Sequence, residues 1–195
     1  MNKTRVEAFS DGVLAVLITI MVLELKAPHE GTLEALRAVG MPFCAYLLSF
    51  VYLGIYWNNH HHMFHAAKQV SGAVLWANLH LLFWLSLIPF TTDWMGETHL
   101  SALPTAAYGT VLLFAAIAYS ILQQCIVRQE GRASILAHAV GRDLKGKLSP
   151  VGYALGIAAA FWHPWISAAF YLAVALMWLI PDTRIERELS KTERE

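Results

Sequence analysis

The chain has 195 residues, of which 57% are hydrophobic and only 14% charged, and its 14 Lys and Arg balance its 14 Asp and Glu. Soluble domains carry about 25% charged residues, so this composition excludes an ordinary soluble domain and belongs to a membrane protein. The zero net charge says nothing about nucleic acid or acidic partners, and where the charges lie matters more; no nucleic acid is expected as a partner.

The chain opens with Lys3 and Arg5 ahead of an apolar region, which superficially matches a signal peptide. Asp11 interrupts the apolar run, however, and Glu24-Leu25-Lys26-Ala27-Pro28 follows instead of a small-residue cleavage site. A retained first helix is therefore expected. A membrane span takes about 20 apolar residues, and six segments are read as spans, at about 9–25, 41–62, 73–91, 106–127, 150–162 and 165–180. The third ends at Pro89 and Asp93. The last two share one uncharged run from Val151 to Ile180, divided at His163-Pro164 because proline lacks a backbone donor and favours a turn. Both halves are short, so a re-entrant hairpin stays open as their alternative.

Lys and Arg mark the cytoplasmic side. Only Lys26 and Arg37 fall on one side of the six segments, against the other 12 of the 14 on the opposite side. This places both termini in the cytoplasm. The 128–147 connection mixes charge with Ile135, Leu136, Val140 and Leu144 and reads as a helix lying on the membrane. Residues 182–195 form a charged cytoplasmic tail. The expected architecture is an all-α membrane protein, a single six-helix domain over 1–195. Cys44 and Cys125 sit in apolar runs and read as unpaired small hydrophobes.

At 100° per residue with Val16 at zero, Arg5, Phe9, Gly12, Val13, Val16, Thr19, Ile20 and Leu23 fall within about 60° of one line. Asp11, Ile18 and Val22 lie opposite, near 200–240°, which aims Asp11 towards neighbouring helices. An ionisable residue at the edge of hydrocarbon costs about 2.5–3.5 kcal/mol and so has a partner or a job. The stripe fits ordinary helix packing and equally a hydrophobic constriction around an axis. Periodicity does not choose between them.

The second span closes on Tyr56-Trp57-Asn58-Asn59-His60-His61-His62-Met63-Phe64-His65. His61 and His65 are one turn apart and could chelate, but no glutamate or cysteine joins them, so no metal is expected. A hydrogen-bonded network through Trp57, His60 and Asn78 that satisfies Asp11 inside the bundle is the structural reading. The chain has no serine elbow, no phosphate cradle, no carbonyl filter sequence and no voltage-sensing arginine repeat, so neither catalysis nor a cofactor is expected.

The Arg-x-x-x-Phe-Ser-Asp pattern of Arg5, Phe9, Ser10 and Asp11 resembles the signature of the endosomal and lysosomal potassium channels called transmembrane protein 175, especially their prokaryotic relatives. The likeness continues with Tyr56-Trp57-x-x-His60-His61, Trp76-x-Asn78 and Pro89-Phe90. It implies a potassium-preferring cation channel in a cell membrane, bacterial in kind, without a carbonyl filter. It further implies that the first helices surround a central pore, with Val16, Ile20 and Leu23 forming the constriction and Thr19 a polar ring. A single repeat implies a homotetramer, and Arg5, Phe9, Ser10, Asp11, Trp57, His60 and Asn78 would hold the first helix in register. Glu24, near the outer end of that helix, either concentrates cations or is merely solvated. The alternative is a proton-coupled or solute transporter using Asp11 and the His60–His65 cluster.

Overall fold

The computed structural model describes residues 2–131 and 144–179, and every element among them is helical. The helices are α1 (Lys3–Glu24), α2 (Leu33–Ala38), α3 (Gly40–His65), α4 (Gly72–Ser86), α5 (Ile88–Glu97), α6 (Ala102–Glu130), α7 (Leu144–Ala160) and α8 (Pro164–Leu179). The expected tail at 182–195 and most of the expected surface helix in 128–147 lie outside the described residues.

Local chemistry sets the boundaries. The Asn2 side chain accepts from the Thr4 N–H at 3.0 Å, so α1 starts at Lys3 and carries Arg5, Ser10 and Asp11 on the helix. Thr32 caps the short α2 by accepting from the Ala35 N–H at 3.2 Å, an element with no apolar period to announce it. The expected third span does not stop at Pro89. The chain steps at Leu87 and continues as α5 to Glu97, because a proline in the first turn of a helix gives up only an N–H that has no partner there. Asp93 and Glu97 are therefore helical residues. Likewise α7 starts at Leu144, with Pro150 inside it instead of at its head. The long apolar run does break between Ala160 and Pro164.

Among the described residues, four stretches are long and apolar enough to cross a membrane: Lys3–Glu24, Gly40–His65, the α4–α5 pair Gly72–Glu97, and Ala102–Glu130. At 17 and 16 residues, α7 and α8 are shorter than the about 20 of a straight span.

In the packing, α1 lies against α3, α4 and α5, while α6 lies against α4, α5 and α7, and α8 closes on α3, α6 and α7. Tyr171 of α8 is the pin of the second group. It is fully buried, donates to the Thr105 carbonyl at 3.1 Å, and its own carbonyl accepts from the Tyr52 hydroxyl at 2.6 Å. Its ring fills the space that side chains at Gly109 and Gly156 would take. Small residues at such crossings let apolar helices approach closely enough for dispersion to hold them where lipid offers no hydrophobic drive.

The exposed stripe of α1 and the polar network beside it

Three faces divide α1. Val6, Ser10, Leu14, Leu17 and Met21 are buried against the rest of the chain. The stripe read from the sequence lies beside them and is uncovered: Val16 is 54% exposed, Ile20 39% and Leu23 78%. Phe9, Gly12 and Thr19 are exposed as well, and Val13 is partly buried. The third face carries Asp11, Ala15 and Val22, all exposed, and Ile18, partly buried. An apolar stripe this open on one chain is a surface that something else must cover or line.

Thr19 interrupts the aliphatics with a hydroxyl that donates to the Val16 carbonyl at 2.8 Å. That bond occupies its proton and leaves the oxygen lone pairs facing outward, the polarity that suits a cation.

Beneath the stripe lies a buried chain of hydrogen bonds at the Lys3 end of α1. The Ser10 hydroxyl donates to the Val6 carbonyl at 2.9 Å and accepts from the Asn78 amide at 2.9 Å. The Asn78 carbonyl oxygen in turn meets His60 Nε2 at 2.8 Å, and the His60 ring stacks on Phe64 at 4.5 Å between centroids. All three polar residues are buried. One serine, one asparagine and one histidine thus join α1, α4 and α3.

Asp11 is not in this network. Its carboxylate is exposed and accepts from the Trp57 indole at 3.1 Å, a separate bond at the rim. The expectation of a single network with Asp11 inside the bundle is corrected here. The helix rotation that buries Ser10 against α4 leaves its neighbour, 100° further round, on an open face. Arg5 and Phe9 are also exposed.

The histidines form a stacked ladder instead of a cage: Trp57 on His61 at 6.4 Å and His61 on His65 at 6.2 Å between centroids. Among the described residues no three His, Cys, Asp or Glu side chains are grouped to hold a metal ion.

Sequence reading missed a second polar cluster further along the same buried face of α3. Ser49 shares a 2.6 Å hydrogen bond with Thr92 and donates to Tyr108 at 3.0 Å. It lies beside the Tyr52–Tyr153 and Tyr108–Tyr171 ring pairs, at 6.1 and 5.7 Å. The available signal was hydroxyl residues spaced through apolar runs. A cavity of about 40 Å³ opens near this cluster between Tyr52, Tyr56, Asn59, Tyr119, Ser120 and Tyr153, room for two or three water molecules and too little for an aromatic ligand.

The family described as "Endosomal/lysosomal potassium channel TMEM175" matches residues 5–89, the part that holds α1 and both ends of the buried network. A potassium channel of Chryseobacterium sp. (strain P1-3) is 53% identical over 191 residues, covering 98% of this chain and 100% of the relative. The human endosomal/lysosomal proton channel TMEM175 is 38% identical over 96 residues, covering 43% of this chain and 19% of that one. The crystal structure of a lysosomal potassium-selective channel TMEM175 homolog from Chamaesiphon minutus superposes with a TM-score of 0.80 at 26% identity, over 91% of this chain and 96% of that one. The family is one of channels and not of enzymes, and this chain belongs to the TMEM175 family.

Proposed function

We propose that the chain is a potassium-preferring cation channel whose permeation path is lined by α1 from four copies around a common axis, without a carbonyl filter. The observation that carries this reading is the uncovered stripe of Val16, Thr19, Ile20 and Leu23 on a helix whose adjacent face is fully packed. One chain cannot enclose a path with one helix, whereas rotational symmetry brings the same stripe to the axis from every copy. Aliphatic rings at that axis exclude fully hydrated ions and close by dewetting. The Thr19 oxygens, their protons spent on Val16, offer acceptors to a partly dehydrated potassium ion.

The remaining face of α1, with Asp11, Ala15 and Val22, then meets the neighbouring copy. Each chain forms one domain of six spans, α4 and α5 together making the third, with α7 and α8 as the short fifth and sixth and both termini in the cytoplasm. The structure fits this arrangement, because α1 begins and α3 ends at one end of the bundle, joined through Lys3 and the His65 carbonyl. The Ser10–Asn78–His60 network holds α1 in rotation so that the stripe faces outward from its own chain. The proton-relay alternative draws no support from the bonding, since Asp11 and His60 are held by different partners, Trp57 and Asn78.

The test is current through the purified protein in a planar bilayer with potassium on one side and sodium on the other. A reversal potential favouring potassium, reshaped by Ile20→Asn, supports the reading. A silent bilayer with verified assemblies, or currents indifferent to Ile20→Asn, refutes it.

A further inference from the structure

The connection between α3 and α4, residues 66–71, is gripped from two sides by side chains of two other helices. From α1, the Lys3 ammonium donates to the carbonyl oxygens of His65 at 3.3 Å and Ala67 at 3.1 Å. From the last turn of α6, one Glu130 carboxylate oxygen accepts from the backbone N–H of Lys68 at 2.8 Å and of Gln69 at 3.3 Å. Gln129 accepts from the Ser71 N–H at 3.1 Å. Each charge sits where the helix dipoles favour it, the ammonium on the carbonyl end of α3 and the carboxylate on amides leading into α4. Backbone groups that would otherwise turn to water are held by α1 and α6.

We infer that Lys3 is a positioning residue for the permeation path, an axial strut that fixes the height and rotation of α1, with Glu130 as its counterpart across the loop. This inference rests on the reading of α1 as the path's wall. The Ser10–Asn78 bond acts seven residues further along, in the same half of α1, and fixes its rotation. Lys3 acts at the first residue of α1, on the carbonyl groups of His65 and Ala67 at the α3–α4 connection. A shift of one residue along the axis moves the helix by about 1.5 Å and turns it by about 100°. That turn carries Val16, Ile20 and Leu23 together away from the direction they face. The two contacts of Lys3 are therefore small in energy yet placed where a small displacement is read at the constriction. Through Gln129 and Glu130 the same loop also ties α1 to the end of α6.

The experiment compares wild type with Lys3→Met, Lys3→Arg and Glu130→Gln in planar bilayers under opposed potassium and sodium, after the amount and size of each assembly are verified. Lys3→Met is expected to assemble normally yet pass about tenfold less potassium, the factor carried by two partly exposed charge-assisted bonds. Its reversal potential should move towards zero, a change that general loss of folded protein does not produce. Lys3→Arg should restore both, and Glu130→Gln should shift the potential in the same direction. Wild-type flux and potential in Lys3→Met, or a Lys3→Arg as impaired as Lys3→Met, overturns the inference. If Lys3→Met does not assemble, Glu130→Gln decides, and an unchanged potential there overturns it equally. Ile20→Asn runs alongside. Indifference to that substitution removes the pore reading and the strut with it, while a response to Ile20→Asn with none to Lys3→Met removes the strut alone.

Discussion

The Asn78 amide donates to the Ser10 hydroxyl across 2.9 Å while its carbonyl oxygen takes His60 Nε2 at 2.8 Å. One side chain on α4 therefore satisfies buried groups on α1 and α3 together. In Asn78→Leu, His60 Nε2 loses its partner without gaining access to water, at about 1–3 kcal/mol, while Ser10 loses one bond and keeps the one to the Val6 carbonyl. The expected outcome is a sharply lower melting temperature in detergent and little assembled protein, read by light scattering on a sizing column.

Trp57→Phe should behave differently. Its indole bond to Asp11 lies at an exposed rim, where water replaces the lost donor. The expected change is below about 1 kcal/mol, within the range of an ordinary exposed hydrogen bond. A melting curve close to wild type, beside a much lowered one for Asn78→Leu, would separate the two hydrogen-bonded groups. Equal losses would show that they act as one.

Gly109 and Gly156 face the Tyr171 ring with no space for a further carbon. Gly109→Ala and Gly156→Ala should each destabilise by about 1–3 kcal/mol through overpacking. Because the added carbon at residue 109 would meet the Tyr171 hydroxyl first, Tyr171→Phe should recover part of the Gly109→Ala loss and less of the Gly156→Ala loss. Thermal melts of the two double variants, treated as cycles, check this.

Thr19→Val keeps shape and removes the outward oxygen. Lower potassium conductance is expected, by about fivefold for each 1 kcal/mol of acceptor interaction lost at the ring, with less preference over sodium. Thr19→Ser, which retains the hydroxyl, should stay near wild type. Single-channel recording in mixed potassium and sodium distinguishes these outcomes.

The long apolar segments were legible because hydropathy reports them directly, and the Arg5–Asp11 motif was legible because charge in such a segment stands out. The exposure of Val16, Ile20 and Leu23 was not, since aliphatics at helical spacing look alike whether they face a core, lipid or an axis. Trp57 was legible as a partner of Asp11, but the burial of Asp11 was misjudged for a related reason: a helical wheel gives relative angles but not which angle meets the rest of the chain. Pro89 and Pro150 were read as boundaries, yet each is accommodated within a helix that begins before it or at its first turn. The Ser49–Thr92–Tyr108 cluster and the Glu130 grip on residues 68 and 69 join positions more than 40 residues apart. No local period records pairings at such separation.

The most direct test of the central claim replaces Val16, Ile20, Leu23 and Val22 singly by cysteine, in a background where Cys44 and Cys125 are alanine. Silver ion is then added to potassium currents in a bilayer. Lasting block is expected for residues 16, 20 and 23, with none for Val22→Cys on the opposite face. Block of Val22→Cys with currents through the other three unaffected would contradict a path lined by this stripe of α1.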